Sequence, residues 1–341
     1  MSLSAKKREE VIEFILLNLR AHGKDIVKFT QEKFGLSRTT ILRYLDALAK
    51  QQRIEISEGA THREYTLLPT LEIEKQFEIT PQLAEDRVWR EDLRPALNGE
   101  QDNVIRLLEY GFSEIFNNAI EHSEGSSIGV LMKIFPDINV LAIVDNGVGI
   151  FNKIQRNCQL DDPHHAILEL SKGKLTTNPE SHTGEGIFFT SRMFDLFVIH
   201  SDKLGFSSIK QTDILWDVDY GPNKGTGVMM EISRKSTRTT GQVFNEFADV
   251  EHGFSKTIVP VQLVRYGDES LISRSQARRM LERLDKFQTV ILDFKDVAQI
   301  GRAFADEVFR VFAKAHPGTH LAAINTSKQI DALIKEIQSQ Q

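Results

Sequence analysis

Two stretches, FSEIFNNAIEHS at residues 112–123 and DNGVG at residues 145–149, decide the fold of the central part of this chain. In the first stretch the apolar residues recur at the spacing of one buried helical face, at Phe112, Ile115, Phe116, Ala119 and Ile120. Glu114 and Asn118 lie four residues apart and share the other side of that helix. A carboxamide oxygen can take a hard cation there, and a carboxylate can polarise a water. The alternative is a surface helix whose polar side chains are only solvated.

The second stretch follows an apolar run at residues 140–144 that is typical of a buried strand. Asp145, at the end of this strand, can accept a hydrogen bond from an exocyclic amine. Gly147 and Gly149 allow the backbone to approach a flat base closely. The two stretches together therefore predict a nucleotide pocket.

A third motif, TGEGIFF at residues 183–189, begins another helical segment. Its glycines, Gly184 and Gly186, leave backbone N–H groups that favour phosphate at a helix N-terminus. The polar residues 172–182 before this motif predict a mobile lid. Two lysines in this lid, Lys174 among them, are candidates to stabilise charge on a γ-phosphate, and a solvated lid is the alternative.

In their order and spacing, these motifs resemble the GHKL superfamily, which groups DNA gyrase, the heat-shock chaperones, mismatch-repair ATPases, histidine kinases and the anti-sigma serine kinases. The resemblance covers roughly residues 95–234. The matching positions belong to its N box, its two glycine boxes and the turn into its last strand: Glu114, Asn118, Asp145, Gly147, Gly149, Gly184, Gly186 and Thr226. The resemblance implies that Asn118 holds Mg²⁺, that Asp145 contacts the adenine amine and that the Gly184 to Gly186 turn cradles the phosphates of ATP.

Other nucleotide folds do not fit. No glycine-rich run ends in Gly-Lys-Ser or Gly-Lys-Thr, which excludes a P-loop. The glycines at 184 and 186 follow a polar segment rather than a strand and lack the third glycine of a dinucleotide-binding fold. Residues 71–101 contain no histidine, so we do not expect autophosphorylation on a histidine before the ATP domain. Glu114 matches superfamily members that use this carboxylate as a general base, either on water, as in gyrase-like ATPases, or on a serine hydroxyl, as in anti-sigma kinases. Of these two activities we favour a weak ATPase.

Composition limits the remaining classes. The chain has 341 residues, a net charge of −6 and 40% hydrophobic residues, as expected for two to three folded domains. Its single cysteine, Cys158, excludes an internal disulfide. No apolar run approaches the roughly 18 residues of a membrane span, and the charged N-terminus has no signal-peptide core, so we expect a cytoplasmic protein without a membrane partner.

Residues 1–70 predict three short helices, the third capped by Ser37, and then a hairpin. This order resembles a winged helix-turn-helix, which implies that the third helix enters the major groove of double-stranded DNA. The candidate DNA contacts are Arg38, Thr39, Thr40 and Arg43 on that helix, with His62 and Arg63 at the hairpin tip. A small helical domain for protein contact or dimerisation is the alternative.

Charge in this N-terminal region is only weakly positive. It carries 12 Lys and Arg against 9 Asp and Glu, which gives +3, so the rest of the chain carries 30 against 39, which gives −9. Because one such region would bind DNA weakly, we expect a homodimer.

Residues 233–255 are polar and predict a domain boundary. Beyond it, strands and helices alternate, with a strand at 257–264, a helix at 273–284 and a buried strand at 289–294, which indicates an α/β layer structure. The pattern resembles a STAS-type domain, in which the helix after the central strand begins at a phosphorylatable serine. Residues 297–307 contain no Ser or Thr, so we expect either a fixed module for protein interaction or dimerisation, or a partner that contacts the lid of the ATP domain in cis.

The sequence therefore predicts a multidomain α+β and α/β protein. Its parts are a winged helix-turn-helix at 1–70, a central GHKL α/β sandwich at 71–234 and a STAS-like α/β domain at 256–341. The predicted function is that of a transcriptional regulator whose DNA affinity and protomer arrangement respond to ATP and Mg²⁺. An anti-sigma-type serine kinase that acts on a STAS-like or sigma-factor partner is the alternative, and a scaffold that binds ATP without cleaving it is a third.

Overall fold

The computed structural model describes most of the chain, namely residues 4–58, 63–175, 184–210, 212–217, 224–249, 253–265 and 269–339. Residues 176–183 of the predicted lid, and His62 at the predicted hairpin tip, lie outside these ranges.

The N-terminal unit contains three helices and a hairpin, as the sequence predicts. Its elements are α1 (Ala5–Asn18), α2 (Ile26–Phe34), α3 (Arg38–Lys50), β1 (Ile54–Glu58) and β2 (Arg63–Leu67). The predicted cap of α3 is confirmed, because the Ser37 side chain accepts a hydrogen bond from the Thr40 N–H. The buried face of α3 consists of Ile41, Tyr44, Leu45 and Leu48. The strands β1 and β2 pair antiparallel.

This unit has its own apolar core, and that core includes Phe135 from the central part of the chain. Arg20 forms an ion pair with Asp137 at 3.0 Å, and its guanidinium lies 4.4 Å from the centre of the Phe135 ring. Phe135 and Asp137 lie in the turn between two strands of the central sheet. The N-terminal unit therefore rests on that turn through one apolar and one charged contact.

The central unit is built on a sheet of seven strands. Its strands are β3 (Leu71–Glu78), β4 (Ser127–Ile134), β5 (Ile138–Asp145), β6 (Leu196–Ser201), β7 (Leu204–Ile209), β8 (Thr212–Asp217) and β9 (Gly227–Ser233). The order across the sheet is β3-β4-β5-β9-β6-β7-β8, and every neighbouring pair is antiparallel. Burial alternates along β4 and β5, so one face of the sheet is covered.

Helices cover that face. They are α4 (Glu85–Val88), which continues as a π-helical turn through Leu93, α5 (Asp102–His122), α6 (Ile150–Cys158), α7 (His164–Lys172), α8 (Gly186–Met193) and α9 (Thr240–Phe247). The predicted apolar face of α5 is confirmed, since Phe112, Ile115, Phe116 and Ala119 are buried. The strand predicted at 140–144 is confirmed as part of β5.

The predicted boundary at 233–255 contains a packed helix. A capping box at Thr239 and Gln242 begins α9. Phe244 lies 4.5 Å from Phe189, and Phe247 lies 5.0 Å from Phe188, measured between ring centres. The central and C-terminal parts consequently share one continuous apolar core.

The C-terminal part alternates strands and helices, as predicted. After the short pair β10 (Ala248–Asp249) and β11 (Gly253–Phe254), it contains β12 (Lys256–Pro260), α10 (Arg274–Leu281), β13 (Thr289–Asp293), α11 (Arg302–Asp306), α12 (Ala313–Ala315), β14 (His320–Ile324) and α13 (Lys328–Gln338). The strands β12, β13 and β14 form a parallel sheet in that order. The strand predicted at 257–264 is too long, because β12 ends at Pro260 and a 3-10 turn follows.

Within the described ranges, none of the helices combines the length and the apolar character that crossing a bilayer requires.

Candidate functional site

A cavity of about 370 Å³ lies between α5, α6 and α8 at the end of β5. Seven of the residues predicted for the nucleotide site line it: Glu114, Asn118, Asp145, Gly149, Gly184, Gly186 and Thr226. Apolar side chains complete much of the wall, among them Ile115, Ile143, Ile150, Ile154, Leu170, Leu175, Phe188 and Phe189. The mixture of an apolar wall with a few convergent polar groups is typical of small-molecule sites.

Asp145 is held in the cavity by hydrogen bonds from backbone N–H groups. Its Oδ1 accepts hydrogen bonds from the Gly147 N–H at 2.8 Å and from the Thr226 N–H at 3.3 Å. Burial raises the pKa of Asp145, and the hydrogen bonds from Gly147 and Thr226 oppose that rise. The carboxylate is therefore held in one orientation, with acceptor capacity that internal bonds do not exhaust.

Thr226 connects Asp145 to the next helix. Its hydroxyl bonds to the Asp145 carboxylate and also accepts from the Ile150 N–H at 2.9 Å. The Asp145 N–H donates to the Thr226 carbonyl oxygen at 2.9 Å. Thr226 thus ties the end of β5 to the start of α6.

Glu114 faces the N-terminus of α8. A Cβ atom on Gly186 would overlap the Glu114 carboxylate, so only glycine permits this approach. Gly184 is in a left-handed conformation with φ of +72°, and its carbonyl oxygen accepts from the Leu175 N–H at 3.2 Å. The predicted general base and the predicted phosphate cradle are therefore neighbours in the structure.

Tyr110 and Lys153 are two of the polar lining residues that were not predicted as site residues from the sequence. Tyr110, one helical turn before Glu114, hydrogen-bonds to the Glu114 side chain, and burial followed by the charge of Glu114 raises the pKa of Tyr110. Lys153, on α6, donates to the His122 carbonyl oxygen at 2.7 Å and pairs with Glu124 at 3.1 Å. Tyr110 lies four residues before Glu114 on the same helix, and that spacing was a signal that could have identified it.

The glycines of the second motif have separate roles. A Cβ on Gly147 would overlap the Ser123 carbonyl group, so Gly147 allows the strand end to pack against the end of α5. Gly147 is not among the described residues that line the cavity. Gly149 does line it and has φ of +85°, a conformation that favours glycine.

Neither lysine of the predicted lid lines the cavity in the described part of the chain. Lys172 belongs to α7, so the lid predicted from residue 172 begins too early in the sequence. Its side chain is buried and bonded to Glu169 at 2.7 Å. The Lys174 ammonium donates to the Lys286 carbonyl oxygen at 3.0 Å and lies over the Phe287 ring at 4.7 Å.

The side-chain oxygen of Asn118, which lines the cavity, fits Mg²⁺ bound together with a phosphate. Mg²⁺ prefers oxygen ligands and is usually held by one or two protein groups plus phosphate oxygens and waters. In the described ranges, no group of three or more His, Cys, Asp or Glu side chains could hold a metal ion alone. The described residues therefore contain no metal site built from protein ligands alone. They are compatible with a Mg²⁺ ion whose ligands come partly from the protein and partly from a bound phosphate.

The predicted DNA contacts lie on the surface of the N-terminal unit. Arg38, Thr39 and Arg43 are exposed on α3, and Thr40 is half-buried against its Ser37 cap. Arg63 is exposed at the start of β2. The basic side chains of this surface are accessible, and they come from two elements of the same unit.

Comparison with known proteins identifies one part of the chain. A search of the curated proteins gives no match to the chain. Residues 276–331 match a family described as a STAS-like domain of unknown function. This range runs from within α10 to the start of α13 and includes the parallel strands β13 and β14. The C-terminal part of the chain therefore contains a STAS-like domain.

Proposed function

We propose that this protein is an ATP-binding, DNA-binding transcriptional regulator whose central unit is a weak ATPase of the GHKL type. The observation that carries the proposal is the cavity itself. Residues from three distant sequence motifs, represented by Glu114, Asp145 and Gly186, line one space of about 370 Å³. The GHKL resemblance assigns those same motifs to one ATP site.

In this proposal each polar group has a distinct task. The Asp145 carboxylate accepts a hydrogen bond from the exocyclic amine of adenine, in line with its fixed orientation. The backbone N–H groups of the Gly184 to Gly186 turn, at the N-terminus of α8, hold phosphate oxygens. Asn118 supplies an oxygen ligand for Mg²⁺, which neutralises charge on the phosphates when it is bound.

Glu114 acts as the general base. Its carboxylate lies beside Gly186, where phosphate would be bound, and it accepts a hydrogen bond from Tyr110. In that position it polarises the water that attacks the terminal phosphorus. Slow hydrolysis of this kind returns the protein to its nucleotide-free or ADP state.

The N-terminal unit would bind double-stranded DNA as a winged helix-turn-helix. Its three helices and hairpin, and the exposed Arg38, Arg43 and Arg63, support this function. The region carries a net charge of only +3, so two copies in a homodimer would be required for useful affinity. The Arg20 to Asp137 ion pair gives the DNA-binding unit a direct contact with the ATP-binding unit.

The test is a DNA-binding assay on the purified full chain with Mg²⁺ and ATP, ADP or no nucleotide. ATP shifts DNA binding only if it binds one protomer arrangement better than another. We expect the affinity with ATP to differ by at least about fivefold from that without nucleotide, the low end of typical coupling between sites. One identical affinity under the three conditions would contradict this function.

The STAS-like domain favours one second candidate, an anti-sigma-type protein serine kinase. The helix α11 begins at Arg302 after Gly301, and residues 297–307 offer no hydroxyl side chain to phosphorylate. The substrate would therefore be a separate STAS-like or sigma-factor protein. Transfer of label from γ-labelled ATP to a second protein would favour the kinase over the ATPase.

A further inference from the structure

The last residue of α7, Lys172, is buried at the contact with the STAS-like domain. Its side chain is 2% exposed. The ammonium donates to the Glu169 carboxylate at 2.7 Å and to the carbonyl oxygen of Glu282 at 3.0 Å. Glu282 belongs to the STAS-like domain, whereas Glu169 and Lys172 belong to α7. One buried cation is thus shared between the two units.

Arg283 of the STAS-like domain completes the cluster. Its Nε donates to the second Glu169 oxygen at 2.9 Å, and its Nη1 donates to the Cys158 sulfur at 3.4 Å. Burial acts to lower the pKa of Arg283, but Glu169 and Cys158 raise it overall. The Glu169 carboxylate therefore bridges a cation of its own helix and a cation of the neighbouring domain. We call Glu169, Lys172 and Arg283 the interdomain cluster.

The segment that carries this cluster also forms part of the cavity wall. Leu170 and Leu175 line the cavity. Between them, Lys172 and Lys174 bond to carbonyl oxygens of the STAS-like domain, those of Glu282 and Lys286. Residues 170–175 therefore contact both the cavity and the domain behind it.

Side-chain packing and a hydrogen bond to the backbone restrain residues 170–175 from moving independently. Gly173 has φ of +77°, and a Cβ there would lie 2.7 Å from the Phe254 ring. The Thr257 hydroxyl of β12 donates to the Lys172 carbonyl oxygen at 2.7 Å. A ligand that displaces Leu170 or Leu175 must therefore also shift Lys172 and its partners, because close-packed interiors transmit strain.

We propose that the interdomain cluster couples the occupancy of the cavity to the docking of the STAS-like domain in the same chain. The partner of the α7 surface is thus the chain's own STAS-like domain, held by a buried carboxylate between two cations. The inference rests on the proposed function only for the identity of the ligand, Mg·ATP. Coupling is reciprocal, so a looser docked domain must weaken ATP binding by the same factor by which ATP tightens docking.

The test uses the full chain and two measurements made together. Calorimetry gives the affinity for Mg·ATP, and hydrogen–deuterium exchange follows peptides from residues 164–175 and 276–331 with and without Mg·ATP. Arg283→Gln removes one cation while Glu169 keeps Lys172, so it preserves a paired carboxylate. The double variant Glu169→Gln with Lys172→Met removes the two charges that α7 contributes, leaves Arg283 without its carboxylate, and serves as the second variant.

Arg302→Gln is the matched control. It also removes an arginine of the STAS-like domain that pairs with a glutamate, but its partner Glu336 lies in α13 and both side chains are at least half exposed. We expect ATP to slow exchange in both peptide sets of the wild type and of Arg302→Gln. In Arg283→Gln we expect faster exchange in 276–331, no transmitted effect of ATP there, and ATP affinity lowered by about tenfold, within the usual range of allosteric coupling.

Two outcomes would overturn the inference, and they are distinguishable. If the wild type binds ATP but exchange in 276–331 does not respond, and both cluster variants bind ATP like the wild type, the coupling is absent and the ATP site stands. If the wild type does not bind ATP, the proposed function fails together with the inference.

Discussion

The Glu114 carboxylate lies in the space that a Cβ atom on Gly186 would occupy. Glu114 comes from the middle of α5, and Gly186 is the first residue of α8. The close approach places a carboxylate beside the N-terminus of a helix, the end of a helix that favours a bound anion. A water held between the carboxylate and a bound phosphate would be oriented for attack, and several consequences of this geometry can be measured.

Gly186→Ala tests the approach of α8 to Glu114. The added methyl group must displace the carboxylate, so we expect phosphate release from ATP to fall by at least about tenfold, equivalent to roughly 1.4 kcal/mol. Gly241→Ala is the control, because a Cβ there meets no atom within 4 Å. In α9 it should leave activity unchanged and stabilise the fold by up to about 1 kcal/mol. Equal phosphate release by both variants would contradict the geometry.

Glu114→Ala tests the assignment of the general base. We expect the variant to bind ATP while free phosphate from γ-labelled ATP drops by about 100-fold or more, the usual effect of losing acid–base catalysis. Free phosphate and labelled protein are followed in the same reaction. Phosphate release at the wild-type rate would remove Glu114 from the mechanism.

Tyr110→Phe tests whether the hydroxyl beside Glu114 positions the base. The change deletes the hydrogen bond to Glu114 and keeps the ring, which packs edge-on against Phe244 at 5.5 Å. A hydrogen bond to a charged group contributes about 1.5–3 kcal/mol, so we expect a turnover at least about tenfold slower. ATP affinity should stay the same, since the hydroxyl bonds to the base. Weaker ATP binding with unchanged turnover would show that Tyr110 contacts the nucleotide instead.

Arg43→Ala tests the DNA-binding surface of α3. If the exposed guanidinium neutralises one phosphate, its loss should weaken DNA binding and reduce the slope of log K against log salt by about 0.9. Arg87→Ala, at an exposed arginine of the central unit, should change neither quantity. An unchanged slope for Arg43→Ala would exclude a phosphate contact at this position.

His164→Gln tests a pH-dependent contact between α7 and β8. The ring bonds to Asp162 at 2.6 Å and to Asp217 at 3.0 Å. Burial acts to lower the pKa of His164, but the two carboxylates raise it overall. The protonated ring therefore stabilises the fold below the ordinary value of 6.5, and this contribution is lost as the pH rises through the raised pKa.

We accordingly expect His164→Gln to lower Tm at a pH below 6.5, by an amount equivalent to at most about 1 kcal/mol because Asp217 is exposed. Well above the raised pKa, the wild type and the variant should melt at nearly the same temperature. Thermal unfolding at both pH values measures the difference. A larger destabilisation of the variant at high pH would contradict the prediction that protonated His164 stabilises the fold.

The elements with local signals could be predicted from the sequence. Short stretches of sequence were enough to predict three features: the apolar periodicity of α5, the Ser37 cap of α3 and the apolar run of β5. Of the glycines in the predicted motifs, Gly149, Gly184 and Gly186 line one cavity, whereas Gly147 is not among its described lining residues. Each of these signals depends on neighbours in the sequence or on a short motif.

The features that were missed depend on contacts between distant residues. Lys172 ends α7 at the start of a polar stretch, and its burial depends on Glu169 together with carbonyl groups more than a hundred residues away. The helix α9 is short, and its Phe244 and Phe247 pack on phenylalanines of α8 that lie more than fifty residues earlier in the sequence. Tertiary packing decided both segments against their composition.

The measurement that tests the central claim most directly is calorimetric binding of Mg·ATP and Mg·GTP to the full chain and to Asp145→Asn. The asparagine Oδ1 can keep the bonds from Gly147 and Thr226, while its NH₂ group would oppose the adenine amine and favour the guanine carbonyl. We predict that the wild type binds ATP in preference to GTP and that Asp145→Asn weakens ATP binding by about tenfold and loses that preference. No binding of ATP by the wild type, or equal ATP affinity in both proteins, would contradict the assignment of this cavity to ATP.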